Sequence, residues 1–247
     1  MGSPPPANDP TLGAGERPLL ALDALPGVRR GRLVRHLDPR GSFRELWRAS
    51  WFVGAPGPSV ERGTGVGPGS WSEGGEGWAG PSAEARSSTG GGSVRQANLS
   101  TSATGVLRGL HVHRRQDDYW VVLEGRSFVA LVDLRPAIAA ERPGTGEGGG
   151  PREIRPVVAV GELAADEWLA IPAGVAHGFL ALAPLSLLYL VSAEYDGTDE
   201  LGFAWDDPLV AVPWPPAPGT PDGRPILSTR DGSAPSLTEL LRRLRRA

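Results

Sequence analysis

From Val94 to Val191 the chain is cut into short segments rich in Val, Leu, Ile and aromatic residues, divided by clusters of Gly, Pro, Ala and Asp. Segments this short cannot each build a helix of ordinary length, and regular turn signals between them are the mark of antiparallel β-structure. Strands are expected at Val94–Ser100, around His111, from Tyr119 to Leu123, Ser127 to Leu134, Arg155 to Val160, Glu167 to Ile171 and Leu185 to Val191. The pattern predicts an all-β sandwich or barrel. One segment departs from it. Leu237, Leu240, Leu241 and Leu244 form a helical stripe, and Ser236 and Glu239 have capping-box spacing, so a short amphipathic C-terminal helix is expected.

Around this frame the composition changes twice. Residues 1–17 are Pro-, Gly- and Ala-rich without periodicity and read as a disordered tail ahead of a single domain over 18–247. Residues 55–93 are Gly-, Ser-, Pro- and Glu-rich and read as a flexible insertion, with Trp71 and Trp78 as its apolar exceptions. A second Gly-rich loop is expected at 137–152. Before the insertion, Asp38-Pro-Arg40-Gly41 reads as a turn between two strands.

Composition also excludes chemistry. There is no cysteine, so disulfides, thiolate nucleophiles and Cys-type zinc sites are ruled out. There is no lysine either, as all 25 basic residues are arginine, so Schiff-base catalysis and a P-loop lysine are impossible. A net charge of −3 gives no footprint for nucleic acid. No apolar run approaches the ~20 residues of a membrane span, and residues 1–17 lack an apolar signal-peptide core. A soluble, cytoplasmic protein with neither nucleic-acid nor membrane partners is expected.

Histidine is scarce, with four in 247 residues, and two lie in Gly105-x5-His111-x-His113-x4-Asp118-x6-Gly125. A third, His177, follows in Pro172-x-Gly174-x-x-His177. Because strand side chains alternate, His111 and His113 share one face. Three imidazoles and a carboxylate would suit a first-row divalent metal with positions left open for substrate.

The two motifs resemble those of the cupin superfamily, double-stranded β-helix (jelly-roll) barrels in which such residues converge. A closer resemblance, from about Leu33 to Asp231, is to the dTDP-4-dehydrorhamnose 3,5-epimerases, a metal-independent branch of that superfamily acting on nucleotide-linked 4-keto sugars. It rests on Arg40-Gly-x-Phe-x-Glu45, Gln96-x-Asn98-x-Ser100, Val106-Leu-Arg108-Gly-Leu-His111 and Val132-Asp-Leu-Arg135. Downstream it continues in Ile171-Pro-x-Gly-x-Ala-His177-Gly-Phe179, Glu200-x-Gly-x-x-Trp205-x-Asp207-Pro208 and Leu227-Ser-x-x-Asp231. The resemblance implies His111 as the base that removes a proton beside the ketone, Asp231 as its supporting carboxylate and Tyr189 as the acid. It places Arg108 and His177 at the sugar. Arg40, Glu45, Gln96, Asn98 and Tyr195 match positions that hold the nucleotide diphosphate, some of them across a dimer, and a homodimer is expected.

Two departures cut across this reading. Asp118 stands where the epimerases carry an enolate-stabilising lysine, and His113 stands where they usually carry glutamine. Both move the site towards the metal-binding pattern. The leading expectation is a cofactor-free epimerase of a nucleotide-activated 4-keto-6-deoxy sugar. The alternatives are a metal-dependent cupin enzyme (isomerase, lyase or oxygenase) with a divalent ion on His111, His113, Asp118 and His177, and a catalytically silent sugar-nucleotide-binding protein.

Overall fold

The expected strands assemble into two five-stranded antiparallel sheets in a computed structural model that describes residues 22–48, 94–139 and 156–246. The tail at 1–17, the insertion at 55–93 with its two tryptophans, and the Gly-rich loop from residue 140 onward lie outside the described residues. The first sheet runs β1 (Arg29–Arg32), β9 (Glu167–Ile171), β6 (Asp118–Glu124), β11 (Leu185–Val191), β4 (Gln96–Ser102). The second runs β12 (Leu201–Gly202), β5 (Leu107–Val112), β10 (Val175–Ala181), β7 (Arg126–Asp133), β8 (Val157–Ala164). A separate hairpin, β2 (His36–Asp38) with β3 (Gly41–Phe43), turns at the predicted position, where Asp38 Oδ1 accepts from the Arg40 N–H at 2.8 Å.

From β4 to β12 consecutive strands lie in opposite sheets, as in a jelly roll, except β7 and β8, which pair in one sheet. Between the sheets pack Trp120, Val122, Val129, Leu131, Leu163, Leu169, Phe179 and Leu187, alternate residues of their strands. At one end this core gives way to polar side chains, and the candidate site opens there.

The outer face of the second sheet is covered by the predicted helix, α3 (Leu237–Arg246), through Leu237 and Leu240 against Leu110, Val112, Ala130 and Phe203. Burying two leucines contributes about 3–6 kcal/mol. The capping box forms as read: Glu239 Oε2 accepts from the Ser236 N–H at 3.0 Å, and the Glu239 N–H donates to Ser236 Oγ at 3.3 Å. A further cap comes from outside the helix, because buried Asp207 accepts the Leu237 N–H at 2.7 Å.

The single expected helix is joined by α1 (Arg135–Ala139) and α2 (Thr229–Gly232). Pro136 cannot continue the β7 ladder, and the Arg135 N–H instead donates to Asp133 Oδ1 at 3.0 Å. Ser228 caps α2 by accepting the Asp231 N–H at 3.0 Å. The strand expected at Arg155–Val160 runs later, over Val157–Ala164, where it pairs along the whole of β7.

Candidate active site

A cavity of about 410 Å³ lies between the sheets. Period-2 alternation supplies most of its wall. Gln96, Asn98 and Ser100 project from β4, Asp118 and Trp120 from β6, His177 and Phe179 from β10, and Leu187, Tyr189 and Val191 from β11. The fifth strand, β5, cannot do this by alternation alone, because Arg108 and His111 are three residues apart and would face opposite ways. A bulge resolves the conflict. His111 pairs with His177 and Arg108 with Phe179, so three steps on β5 match two on β10. The extra residue requires close backbone approach: a Cβ on Gly109, at φ +129°, would lie 2.6 Å from Gly178 Cα. Arg108, His111 and His113 all line the cavity as a result.

His111 Nε2 lies 2.7 Å from Asp231 Oδ1, joining β5 to α2 across 120 residues. A carboxylate offers only acceptors, so Nε2 carries the proton and donates, leaving the lone pair on Nδ1. Burial acts to raise the Asp231 pKa. The hydrogen bond and charge of His111, with Ser228 and Arg230, outweigh it and hold the carboxyl below its usual range. Tyr189 is shifted the other way. Burial and the charges of Asp118 and Glu200 push its hydroxyl up, against the pull of Arg108, so it stays protonated at neutral pH.

His113, Asp118 and His177 gather beside this pair, with one ligand atom from each within 4.8 Å of the others. His177 Nδ1 lies 3.1 Å from the Val175 carbonyl and His113 Nδ1 lies 2.9 Å from the Asp199 carbonyl. Carbonyls only accept, so both rings carry their proton on Nδ1. Burial pushes the His177 pKa down to about 4 despite the opposing pull of Asp118, so its ring is neutral. Asp118 is buried, accepts from Gln116 Nε2 at 2.8 Å and Trp120 Nε1 at 3.3 Å, and faces His177 Nε2 at 3.5 Å. His111 stands outside this group, because Asp231 engages its Nε2. The four-ligand set expected from spacing therefore divides into a His–Asp pair and a cluster of three.

Gln96, Asn98, Arg108, His177 and Tyr195 reach the cavity as expected, and Gln96 Oε1 accepts the Tyr195 N–H at 2.9 Å. Arg40 and Glu45 do not reach it within one chain. Arg40 lies on the outlying hairpin and pairs with Asp38 at 2.6 Å, while Glu45 pairs with Arg48. Lining residues outside the expected set include Gln116 and Trp120, which hold Asp118, and Glu200 and Arg230, which pair at 2.6 Å. For Glu200 the motif Glu200-x-Gly was a usable signal. Gln116 and Arg230 had none.

The chain is similar to known proteins. The sequence model of the family described as dTDP-4-dehydrorhamnose 3,5-epimerase matches residues 81–140 and 158–239. The Mycobacterium tuberculosis dTDP-4-dehydrorhamnose 3,5-epimerase is 36% identical over 151 residues, 60% of this chain and 67% of that protein. A dTDP-4-dehydrorhamnose 3-epimerase of Streptomyces niveus is likewise 36% identical over 151 residues, covering 59% of this chain and 64% of that one. Among solved structures, a 4-keto-6-deoxy sugar epimerase from the novobiocin biosynthetic gene cluster of Streptomyces spheroides superposes with a TM-score of 0.57 at 27% identity, covering 87% of this chain and 84% of its own. With a jelly roll of two antiparallel sheets, a His–Asp pair and a tyrosine in one cavity, and a family match over more than half its length, the chain belongs to the dTDP-4-dehydrorhamnose 3,5-epimerase family of isomerases.

Proposed function

We propose that this protein epimerises a dTDP-linked 4-keto-6-deoxy sugar at a carbon next to the ketone. The observation that carries the reading is the His111–Asp231 hydrogen bond of 2.7 Å, opening on a cavity that also holds the protonated Tyr189. A C–H beside a carbonyl is weakly acidic, and a base with its proton fixed on the far nitrogen can accept that hydrogen as H⁺. His111 Nδ1 takes the proton, and the C–H electron pair moves into an enolate on the C4 oxygen. The new imidazolium is stabilised by Asp231. Tyr189 returns a proton to the opposite face of the carbon while the enolate collapses to the ketone. His111 and Tyr189 then exchange protons with water to restore their starting states.

Arg108 and Arg230 supply positive charge to the cavity wall for a diphosphate, while Gln96, Asn98 and Tyr195 offer polar contacts at its rim. Arg40 and Glu45 serve a neighbouring protomer's site in a homodimer. That placement is supported by their distance from their own cavity and by the exposed apolar side chains around them, Leu37 at 76% and Phe43 at 64%. The protein works in the cytoplasm, a reading supported by its lack of cysteine. Among the described residues no helix is long and apolar enough to cross a membrane.

The test is solvent exchange. In D₂O, deuterium enters C3 or C5 of a dTDP-4-keto-6-deoxyhexose, followed by mass spectrometry and NMR. His111→Ala abolishes it. Tyr189→Phe retains exchange but lowers inversion by a hundredfold or more, as expected for a lost general acid. No exchange across a panel of 4-keto sugar nucleotides would refute the assignment.

A further inference from the structure

We infer that His113, Asp118 and His177 form a binding site for one first-row divalent metal ion, with His111 left outside the ligand set. The inference starts from a buried carboxyl group. Asp118 is buried and, among the described residues, no arginine pairs with it. Its donors, Gln116 and Trp120, are both neutral. An anion removed from water without a counter-charge is costly. Its charged-partner position is instead occupied by His177 Nε2 at 3.5 Å. The ring is set by Nδ1, which lies 3.1 Å from the Val175 carbonyl and so leaves Nε2 turned to Asp118. A carboxylate oxygen of Asp118 and His177 Nε2 thus converge within reach of one point, an arrangement that a divalent cation completes.

The third donor is prepared in the same way. His113 Nδ1 is tied to the Asp199 carbonyl at 2.9 Å, which turns its Nε2 lone pair away from that carbonyl. Metal-bound histidines characteristically have the other ring nitrogen fixed by a carbonyl or carboxylate, which sets tautomer and orientation. Two such imidazoles and one carboxylate form the 2-His-1-carboxylate set of open first-row metal sites. Around an ion with bonds of about 2.1 Å, neighbouring donor atoms lie about 3.0–3.4 Å apart. In this structure the three ligand atoms all lie within 4.8 Å of one another.

The wall's charges point the same way. Two arginines, Arg108 and Arg230, face three carboxylates, Asp118, Glu200 and Asp231, so the wall is net negative where a diphosphate must enter. A divalent ion reverses that sign. When bound, it would supply Lewis acidity at the ketone oxygen, the role for which this lysine-free chain has no ammonium group. The ligand division also leaves His111 its Asp231 partner, so base and ion do not compete for one imidazole. The role at the ketone rests on the epimerase reading; binding itself does not.

The experiment uses the full chain, stripped with chelator and titrated with Co²⁺, read by visible absorption and by calorimetry. About one Co²⁺ per chain is expected. Asp118→Asn and His113→Gln are each expected to weaken binding at least tenfold, and His111→Gln to leave the stoichiometry at one. Should Asp118→Asn fail to fold by circular dichroism, the half-buried His113→Gln decides. Absence of Co²⁺ binding by the wild-type chain, or binding unchanged in His113→Gln, overturns the inference. Loss of binding in His111→Gln overturns the three-residue ligand set. Exchange in D₂O without Co²⁺ binding would remove the metal site and leave the epimerase standing. Co²⁺ binding without exchange on any 4-keto sugar would do the reverse.

Discussion

Asp231→Asn isolates what the carboxylate behind the base contributes. The substitution keeps size and shape, so His111 retains an acceptor at the position 2.7 Å from Nε2. What is lost is charge. To act as a base His111 must start as the imidazole, and in that form the pair is a hydrogen bond. Once His111 has taken the substrate proton, it is an ion pair. With charge centres roughly 4 Å apart and an effective dielectric constant of about 20, that pair is stabilised by about 4 kcal/mol. The value of 20 already includes screening through the cavity, and the side chains are only 24% and 6% exposed. At 1.36 kcal/mol per tenfold, the loss is about a thousandfold in rate. It falls on kcat rather than KM, because the charge appears only after proton transfer. Steady-state epimerisation monitored by NMR, with dTDP binding by calorimetry and a thermal melt as controls, measures the split. A variant that binds dTDP normally, melts normally and keeps kcat within threefold of wild type would refute the assignment of Asp231 as counter-charge. A rise in KM at constant kcat would assign it to substrate binding instead.

The remaining predictions concern stability and assembly. Asp207→Ala removes one carboxylate that accepts the Leu209 N–H at 2.9 Å and the Leu237 N–H at 2.7 Å in a buried setting. The lost cap and stranded donors should destabilise the chain by about 2–4 kcal/mol, measured by urea unfolding; a change under 0.5 kcal/mol would contradict the capping role. Light scattering should give twice the 25.9 kDa chain mass, and a monomer would remove the proposed function of Arg40 and Glu45.

Much of the barrel was legible because burial on one face of a strand forces alternation. Gln96-x-Asn98-x-Ser100 and Leu187-x-Tyr189-x-Val191 can be placed on the cavity face by counting in twos. The helix stripe and its capping box are legible for the same local reason. What was not legible is non-local. The bulge at Gly109 puts Arg108 and His111 on one face against their parity, and only the close approach of Gly178 requires it. Likewise, spacing groups His111 with the other candidate ligands. Its partner Asp231, 120 residues away on α2, was implied by the family resemblance and not by spacing, and that bond is what divides the set. Asp118 read from sequence as a departure from a family pattern. Its burial and its two neutral donors are tertiary facts.

The position of Asp231 on α2 gives the enzyme a built-in proof of assembly. The strands that shape the cavity can pair among themselves, yet the carboxylate behind the base arrives on a four-residue helix that lies against β5 and precedes α3. Arg230, next to it, grips Glu200 and the Glu200 carbonyl, while α3 seals the outer face of the same sheet. A chain whose barrel has closed but whose downstream segment has not docked would offer a sugar nucleotide a cavity with an unsupported imidazole. Such a chain would be occupied but silent, and proton abstraction would begin only once both sides of that sheet are dressed.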